Sequence, residues 1–147
     1  MDRPSSPLAR SRNQPFSGYY NRPQPDNDTT LTAVGPGTPC GDYMRRYWHP
    51  VAAKAQLVEK QRMHVRVFGE DLVLFIDRRG GMGLVERECP HRLVKLDCGY
   101  TTDQGIKCAY HGWTFDVTGQ CIEVPSEPAE SGYAKKIKLK SYPLVER

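Results

Sequence analysis

Apolar and polar side chains alternate along His64-Val65-Arg66-Val67-Phe68, and the run Leu72-Val73-Leu74-Phe75-Ile76 that follows is apolar without a break. Alternation marks a half-buried strand, and a short apolar run bounded by turn residues marks a strand buried on both faces. Gly69-Glu70 supplies a tight turn between them, so the pair predicts a hairpin whose second strand covers Asp71 to Asp77. The three glycines between Arg78 and Gly83 predict a second hairpin loop. Short strands are predicted at Leu84 to Arg87, Ile106-Lys107, Thr114 to Asp116 and Gln120 to Val124, with Thr118-Gly119 turning the last two. After the loop Pro125-Ser126-Glu127-Pro128, the pairs Ile137/Leu139 and Tyr142/Leu144 predict two closing edge strands. Upstream, Val51 to Val58 is predicted as a strand. A short helix from Asp42 to about Trp48, ended by Pro50, turns Tyr43, Tyr47 and Met44 to the core and Arg45 and Arg46 to solvent. Many short strands joined by glycine turns predict an all-β fold, an antiparallel sandwich or open barrel with one short N-terminal helix.

The first thirty or so positions break this pattern. They are rich in Pro, Ser, Asn, Asp and Arg and hold no period, which predicts an extended or disordered arm over residues 1–34 and a single domain over residues 35–147. Phe16, Tyr19 and Tyr20 are the exceptions. They suit an extended strap that lays a few aromatics on the domain, or an arm that reaches a neighbouring subunit. Gly35-Pro36-Gly37-Thr38-Pro39-Cys40-Gly41 reads as a rigid loop between arm and domain.

Charge and composition then narrow the function. The net charge is +4, too weak to argue for nucleic acid. Lys135-Lys136-Ile137-Lys138-Leu139-Lys140 is basic, but its alternation fits an edge strand with lysines outward, a guard against edge pairing. A docking face for an acidic reductase is the intermediate reading of the same stretch. No apolar run approaches the length of a membrane span, and no signal-peptide pattern opens the chain, so the expected location is cytoplasmic. The five cysteines are odd in number and scattered, which argues against a disulfide framework.

Two stretches carry chemistry. Cys89-Pro90-His91-Arg92 offers a thiolate and an imidazole at C-x-H spacing, and Cys108-Ala109-Tyr110-His111-Gly112-Trp113 offers the same pair at C-x-x-H. Two Cys and two His also make a closed zinc set, but zinc fingers usually take their ligands as a Cys pair followed by a His pair. Mixed pairs on two loops suit a [2Fe–2S] centre in which one iron takes two Cys and the other two His. Each iron then bridges both loops, and the cluster staples them together.

These words resemble the Rieske family. C-P-H-R followed by C-x-Y-H-G-W-x-F is close to the form found in Rieske non-haem iron oxygenases, the ring hydroxylases and demethylases. G-P-G-T-P and R-R-Y-W-H-P-V resemble the entry to the Rieske domain of the phthalate-dioxygenase and demethylase-like subgroup. The resemblance runs from about Gly35 to the end. It implies a Rieske-type sandwich with two cluster-binding hairpin loops, and a [2Fe–2S] cluster on Cys89, His91, Cys108 and His111. Arg92, Tyr110, Gly112 and Trp113 would surround these ligands. It further implies an electron supply from NAD(P)H through a flavin and iron–sulfur reductase or a ferredoxin. The acceptor would be a mononuclear Fe(II) in a catalytic domain, usually of the neighbouring subunit of a homotrimer.

High-potential Rieske proteins carry a disulfide whose positions here are Val94 and Tyr110, and hydroxyl donors whose positions are Trp113 and Phe115. Neither Trp113 nor Phe115 has a hydroxyl, so a low potential is expected. The histidines outside the cluster, His49 and His64, lie fifteen apart without a carboxylate-and-paired-His motif. An oxygen-activating iron site is therefore not expected from this chain alone, and the catalytic residues are expected beyond Arg147. A stand-alone Rieske ferredoxin and, from another class, a zinc-stapled interaction module remain open. Cys40 and Cys98 read as spare thiols and Cys121 as core.

Overall fold

The computed structural model describes residues 27–147. The aromatic strap of Phe16, Tyr19 and Tyr20 lies outside these residues. Two four-stranded antiparallel sheets form the fold. One has the order β1-β2-β3-β8 and the other β4-β5-β6-β7. In the first sheet, β1 covers Arg62–Val67, β2 Glu70–Ile76, β3 Met82–Glu86 and β8 Ser141–Tyr142. In the second, β4 covers Tyr100–Thr102, β5 Gly105–Lys107, β6 Thr114–Phe115 and β7 Cys121–Glu123.

The unbroken apolar run earns its burial on both faces of β2. Val73 and Phe75 enter one core, with Val85, Leu96, Ile106, Trp113, Phe115 and Leu139. Leu72 and Leu74 enter a second core on the opposite face, with Leu57 and Leu84. The period of two along a strand produces this division directly. Only the first core includes Cys89 and Cys108.

The hairpin between β1 and β2 turns one residue earlier than expected. Val67 pairs with Glu70, which leaves Phe68 and Gly69 as the two-residue loop, both at positive φ (48° and 80°). That geometry suits the right-handed twist of the strands. Phe68 tolerates it because it is held: Arg45 Nη2 donates to its carbonyl at 3.0 Å, and its ring meets the edge of His49 at 4.7 Å.

Three short helices precede the sheets. The single turn α1, Thr29–Thr32, is capped by the Asp28 side chain and falls within the stretch expected to be an extended arm. The next, α2, spans Pro39–Met44 rather than Asp42 to Trp48. Thr38 caps it and Pro39 opens it, as proline does well at a first helical turn. The earlier start changes which side faces inward. Tyr43 and Tyr47 are exposed, against expectation, and Arg45 turns in. Val51 to Val58 is not a strand either. Residues Lys54–Lys60 form α3, with Leu57 its one buried side chain and Gln61 a left-handed C-cap. Ala, Lys, Gln and Glu favour a helix, and α3 packs on β1 and β2.

At the chain's end Ile137 and Leu139 point inward between exposed Lys136, Lys138 and Lys140. The alternation holds, but pairing is limited to one bridge, Gln120 to Lys138, and to the two-residue β8 on β3. Lys140 joins an ion cluster instead. Glu70 accepts from Arg45 Nη2 at 2.7 Å, from Tyr142 Oη at 2.7 Å, and from Lys140. The cluster ties α2 and β8 to the start of β2. Burial raises the Glu70 pKa, but the hydrogen bonds from Lys140, Tyr142 and Arg45 outweigh it and hold the carboxyl down at about 2. The folded value lies below the unfolded one, so this stabilisation is present above the ordinary pKa of 4.5 and is lost as pH falls to about 2. The depression corresponds to about 3 kcal/mol at neutral pH. Glu70→Gln is expected to lose about that much in urea unfolding near neutrality, and to converge with the parent at about pH 2. A gap that persists undiminished into acid would refute the assignment.

Candidate metal centre

Each ligand-bearing stretch is a loop closed by the same two backbone bonds. In the first, Cys89 N–H donates to Val94 O at 2.9 Å and Leu93 N–H to Cys89 O at 2.8 Å. In the second, Cys108 N–H donates to Trp113 O at 2.8 Å and Gly112 N–H to Cys108 O at 3.1 Å. The residue four after each cysteine is left-handed, Leu93 at φ 58° and Gly112 at φ 72°. Gly112 also has neighbours close by: an added Cβ would meet Lys107 Cε at 3.1 Å and Pro125 Cγ at 3.2 Å. The left-handed turn and these side chains together favour glycine at this position.

A charge pair fastens the base of each loop. Arg87 and Asp97 form a two-pronged pair, Nε to Oδ1 at 2.8 Å and Nη2 to Oδ2 at 2.9 Å. Beside it, the backbones of Glu88 and Lys95 pair in an isolated antiparallel β-bridge. Under the second loop, Lys107 Nζ lies 2.9 Å from Glu123 Oε2, which also accepts from Thr114 Oγ1 at 2.8 Å. Hydrogen bonds from Lys107 and Thr114 outweigh burial and lower the Glu123 pKa. None of these groups carries a motif. Leu93, by contrast, becomes visible when the two loops are aligned on their cysteines.

The structure sets the four expected donors in two pairs, each in its own environment. Cys89 and Cys108 are 2 % and 3 % exposed, at the edge of the first core. Burial pushes the Cys89 thiol up to about 11, and the adjacent Cys108 thiol adds to the rise. Against this, backbone N–H groups of His91 and Arg92 bond to Cys89 and lower it. His91 and His111 are exposed, their ring centroids 4.6 Å apart. Desolvation, then the His111 and Arg92 charges, lowers the His91 pKa and favours the neutral ring that binds metal. Among the described residues no three His, Cys, Asp or Glu side chains converge on one point. The donors stand as two pairs, thiols inside and imidazoles outside. Soft thiolates paired in the core and imidazoles paired at the rim fit a [2Fe–2S] cluster with one iron for each pair.

The expected surrounding residues divide by role. Trp113, 7 % exposed, stacks flat on His91 at 4.7 Å and 3°. Tyr110, 61 % exposed, lies over His111 at 3.8 Å. The Arg92 side chain is exposed, and its backbone N–H serves the site. Tyr133, which the sequence did not single out, meets the Trp113 ring edge-on at 6.2 Å. The other histidines are engaged elsewhere: His49 Nε2 bonds to Met44 O at 2.8 Å, and His64 Nε2 to Asp71 Oδ1 at 2.7 Å. Cys121 is core as expected, Cys98 is exposed, and Cys40 lies in α2.

Known proteins resemble this chain in sequence and in fold. The sequence profile described as the Rieske [2Fe-2S] domain matches residues 47–143. Over 122 residues the chain is 43% identical to the 5,5'-dehydrodivanillate O-demethylase oxygenase subunit of Sphingobium sp.. That match covers 81% of this chain and 29% of the relative. It is 41% identical over 120 residues to the phthalate 4,5-dioxygenase oxygenase subunit of Pseudomonas putida, covering 80% of this chain and 27% of the relative. The solved structure of NdmA from Pseudomonas putida superposes with a TM-score of 0.61 at 28% identity, covering 72% of this chain and 33% of that one. The chain thus spans less than a third of the length of these two sequence relatives.

Proposed function

The chain belongs to the Rieske [2Fe–2S] domain family, and from that membership we propose that it passes single electrons through a cluster held by Cys89, Cys108, His91 and His111. The observation that carries this reading is the pairing itself: two buried thiols and two exposed imidazoles, delivered by two loops of the same backbone design. A bound cluster would supply one-electron chemistry. The chain's residues do the rest. Cys89 and Cys108, both buried, would hold one iron, and His91 and His111, both exposed, would hold the other. Backbone N–H groups of His91 and Arg92, bonding to Cys89, stabilise negative charge on its sulfur.

The fuller reading places residues 35–147 as the electron-transfer domain of an aromatic-ring hydroxylating or demethylating oxygenase, behind an arm at residues 1–34. The names of the relatives support it, as does their greater length. The donor is then an NAD(P)H-dependent reductase or a ferredoxin in the cytoplasm. The acceptor is a mononuclear iron in a catalytic domain, of the neighbouring subunit in a trimer. Among the described residues no helix is long and apolar enough to cross a membrane. A stand-alone electron carrier is the second reading. The reading frame beyond the Arg147 codon separates them: an open frame encoding a carboxylate and paired histidines supports the oxygenase, and a stop codon the carrier.

Purified protein is expected to be brown, with about two irons and two sulfides per chain. Zinc in place of iron would refute the reading. The potential is expected near the bottom of the roughly −150 to +300 mV range of Rieske centres, because a carbon ring stands where a hydroxyl donor would raise it. Phe115 is fully buried and Trp113 nearly so. A redox titration followed by electron paramagnetic resonance checks this, and a midpoint well above zero would contradict it.

A further inference from the structure

Five aromatic rings lie in continuous contact across the two loops. In order they are Tyr133, Trp113, His91, His111 and Tyr110, at successive centroid separations of 6.2, 4.7, 4.6 and 3.8 Å. The two imidazoles are not held alike. Trp113 belongs to the second loop by its backbone, where its carbonyl closes the Cys108 turn at 2.8 Å. Its side chain, however, backs His91 of the first loop, the two ring planes nearly parallel at 3°. Behind it stands Tyr133, edge-on at 84°, from the segment joining β7 to β8. Among the described residues, the aromatic ring against His111 other than His91 is the exposed Tyr110.

A metal-binding histidine is usually oriented by a hydrogen bond from its other ring nitrogen. Among the described residues the histidine side-chain hydrogen bonds belong to His49 and His64, not to the pair in these loops. Stacking is the restraint that the structure does provide, and its flat contact reaches across from the opposite loop. We propose that Trp113 is a positioning residue that fixes the His91 ring from the opposite loop, before and after the cluster binds, and that Tyr133 braces Trp113 in turn. The proposal deepens the cluster reading and rests on it for its second half only. The ring geometry in the metal-free chain stands apart from that reading.

The test compares the parent with Trp113→Phe, Trp113→Leu and Tyr133→Leu, each as the full chain. In the metal-free proteins, nuclear Overhauser contacts between the residue 113 and His91 side chains are read directly. In the loaded proteins, the readouts are the g-values of the reduced cluster and the rate of cluster loss to a chelator. Phenylalanine keeps a flat face and is expected to hold the parent g-values. Leucine fills space without a face. It is expected to shift the g-values and to speed cluster loss about ten-fold, the scale on which groups behind metal ligands act. Tyr133→Leu is expected to move the same readouts in the same direction, by less. If Trp113→Leu folds with unchanged melting temperature, g-values and loss rate, the proposal is overturned. If it fails to fold, Tyr133→Leu decides: shifted g-values sustain the proposal, and parent values overturn it. A parent chain that takes up no iron–sulfur cluster refutes the cluster reading. The Overhauser contacts still decide whether Trp113 holds His91.

Discussion

Replacing Cys108 by serine is expected to give a folded, colourless chain. The side chain is 3 % exposed and sits among apolar neighbours of the first core. Serine is smaller and close in shape, so the fold loses only the burial of a hydroxyl in place of a thiol, about 1–3 kcal/mol. The iron loses far more, since an alkoxide is a poor substitute for a soft thiolate. Cluster content should fall to background while far-ultraviolet circular dichroism stays near that of the parent. Cys89→Ser should behave alike, because both thiols stand in the same pair. Cys98→Ser, outside the site and exposed, should keep its colour. His91→Cys and His111→Cys should retain iron but change the reduced spectrum. Colour surviving in Cys108→Ser, or an unchanged spectrum in the histidine variants, would mean that the ligands lie elsewhere.

Gly105→Ala is expected to be as damaging by a different route. Gly105 opens β5, the strand that leads into the second loop. Its φ is +149°, and an added Cβ would stand 1.9 Å from the Phe115 carbonyl oxygen and 2.9 Å from Asp116 Cα. Both obstacles are backbone, and moving them displaces β6, which carries the far side of that loop. A loss above about 4 kcal/mol is expected, in the range where substitutions prevent folding. Thermal unfolding and recovery of soluble protein measure it. A variant melting with the parent would show that the sheet relaxes there at little expense.

These two positions differ in how far the sequence discloses them. The cysteines and histidines are legible because their chemistry is local: thiolate and imidazole must appear as such, in short loops, at spacings that aim both at one place. The strand from Leu72 to Ile76 is legible for a similar reason, since burial on both faces leaves no polar residue to break the run. Gly105 is one glycine among thirteen. What makes it essential is the Phe115 carbonyl opposite, ten positions away. The Arg87–Asp97 pair is hidden likewise, because charged residues are common and only the closed loop sets these two against each other. At α3 the sequence misleads: a seven-residue helix with one buried side chain shows no helical period, and Val51 before it and Val58 within it suggest a strand. Arg45 faces inward against expectation because Thr38 and Pro39, whose composition suggests a rigid loop, start a helix and set its rotation.

The division made by β2 has a consequence for how such a protein can change. Val73 and Phe75 face the core that holds the thiols, while Leu72 and Leu74 face the other. Substitutions on the second side meet Leu57, Leu84 and the apolar residues around them, and the strand's own backbone stands between them and the loops. Lineages can therefore rework that surface to suit new neighbours while their redox properties drift little. A designer can do the same, recruiting the far face for a different host enzyme and keeping the electron relay intact.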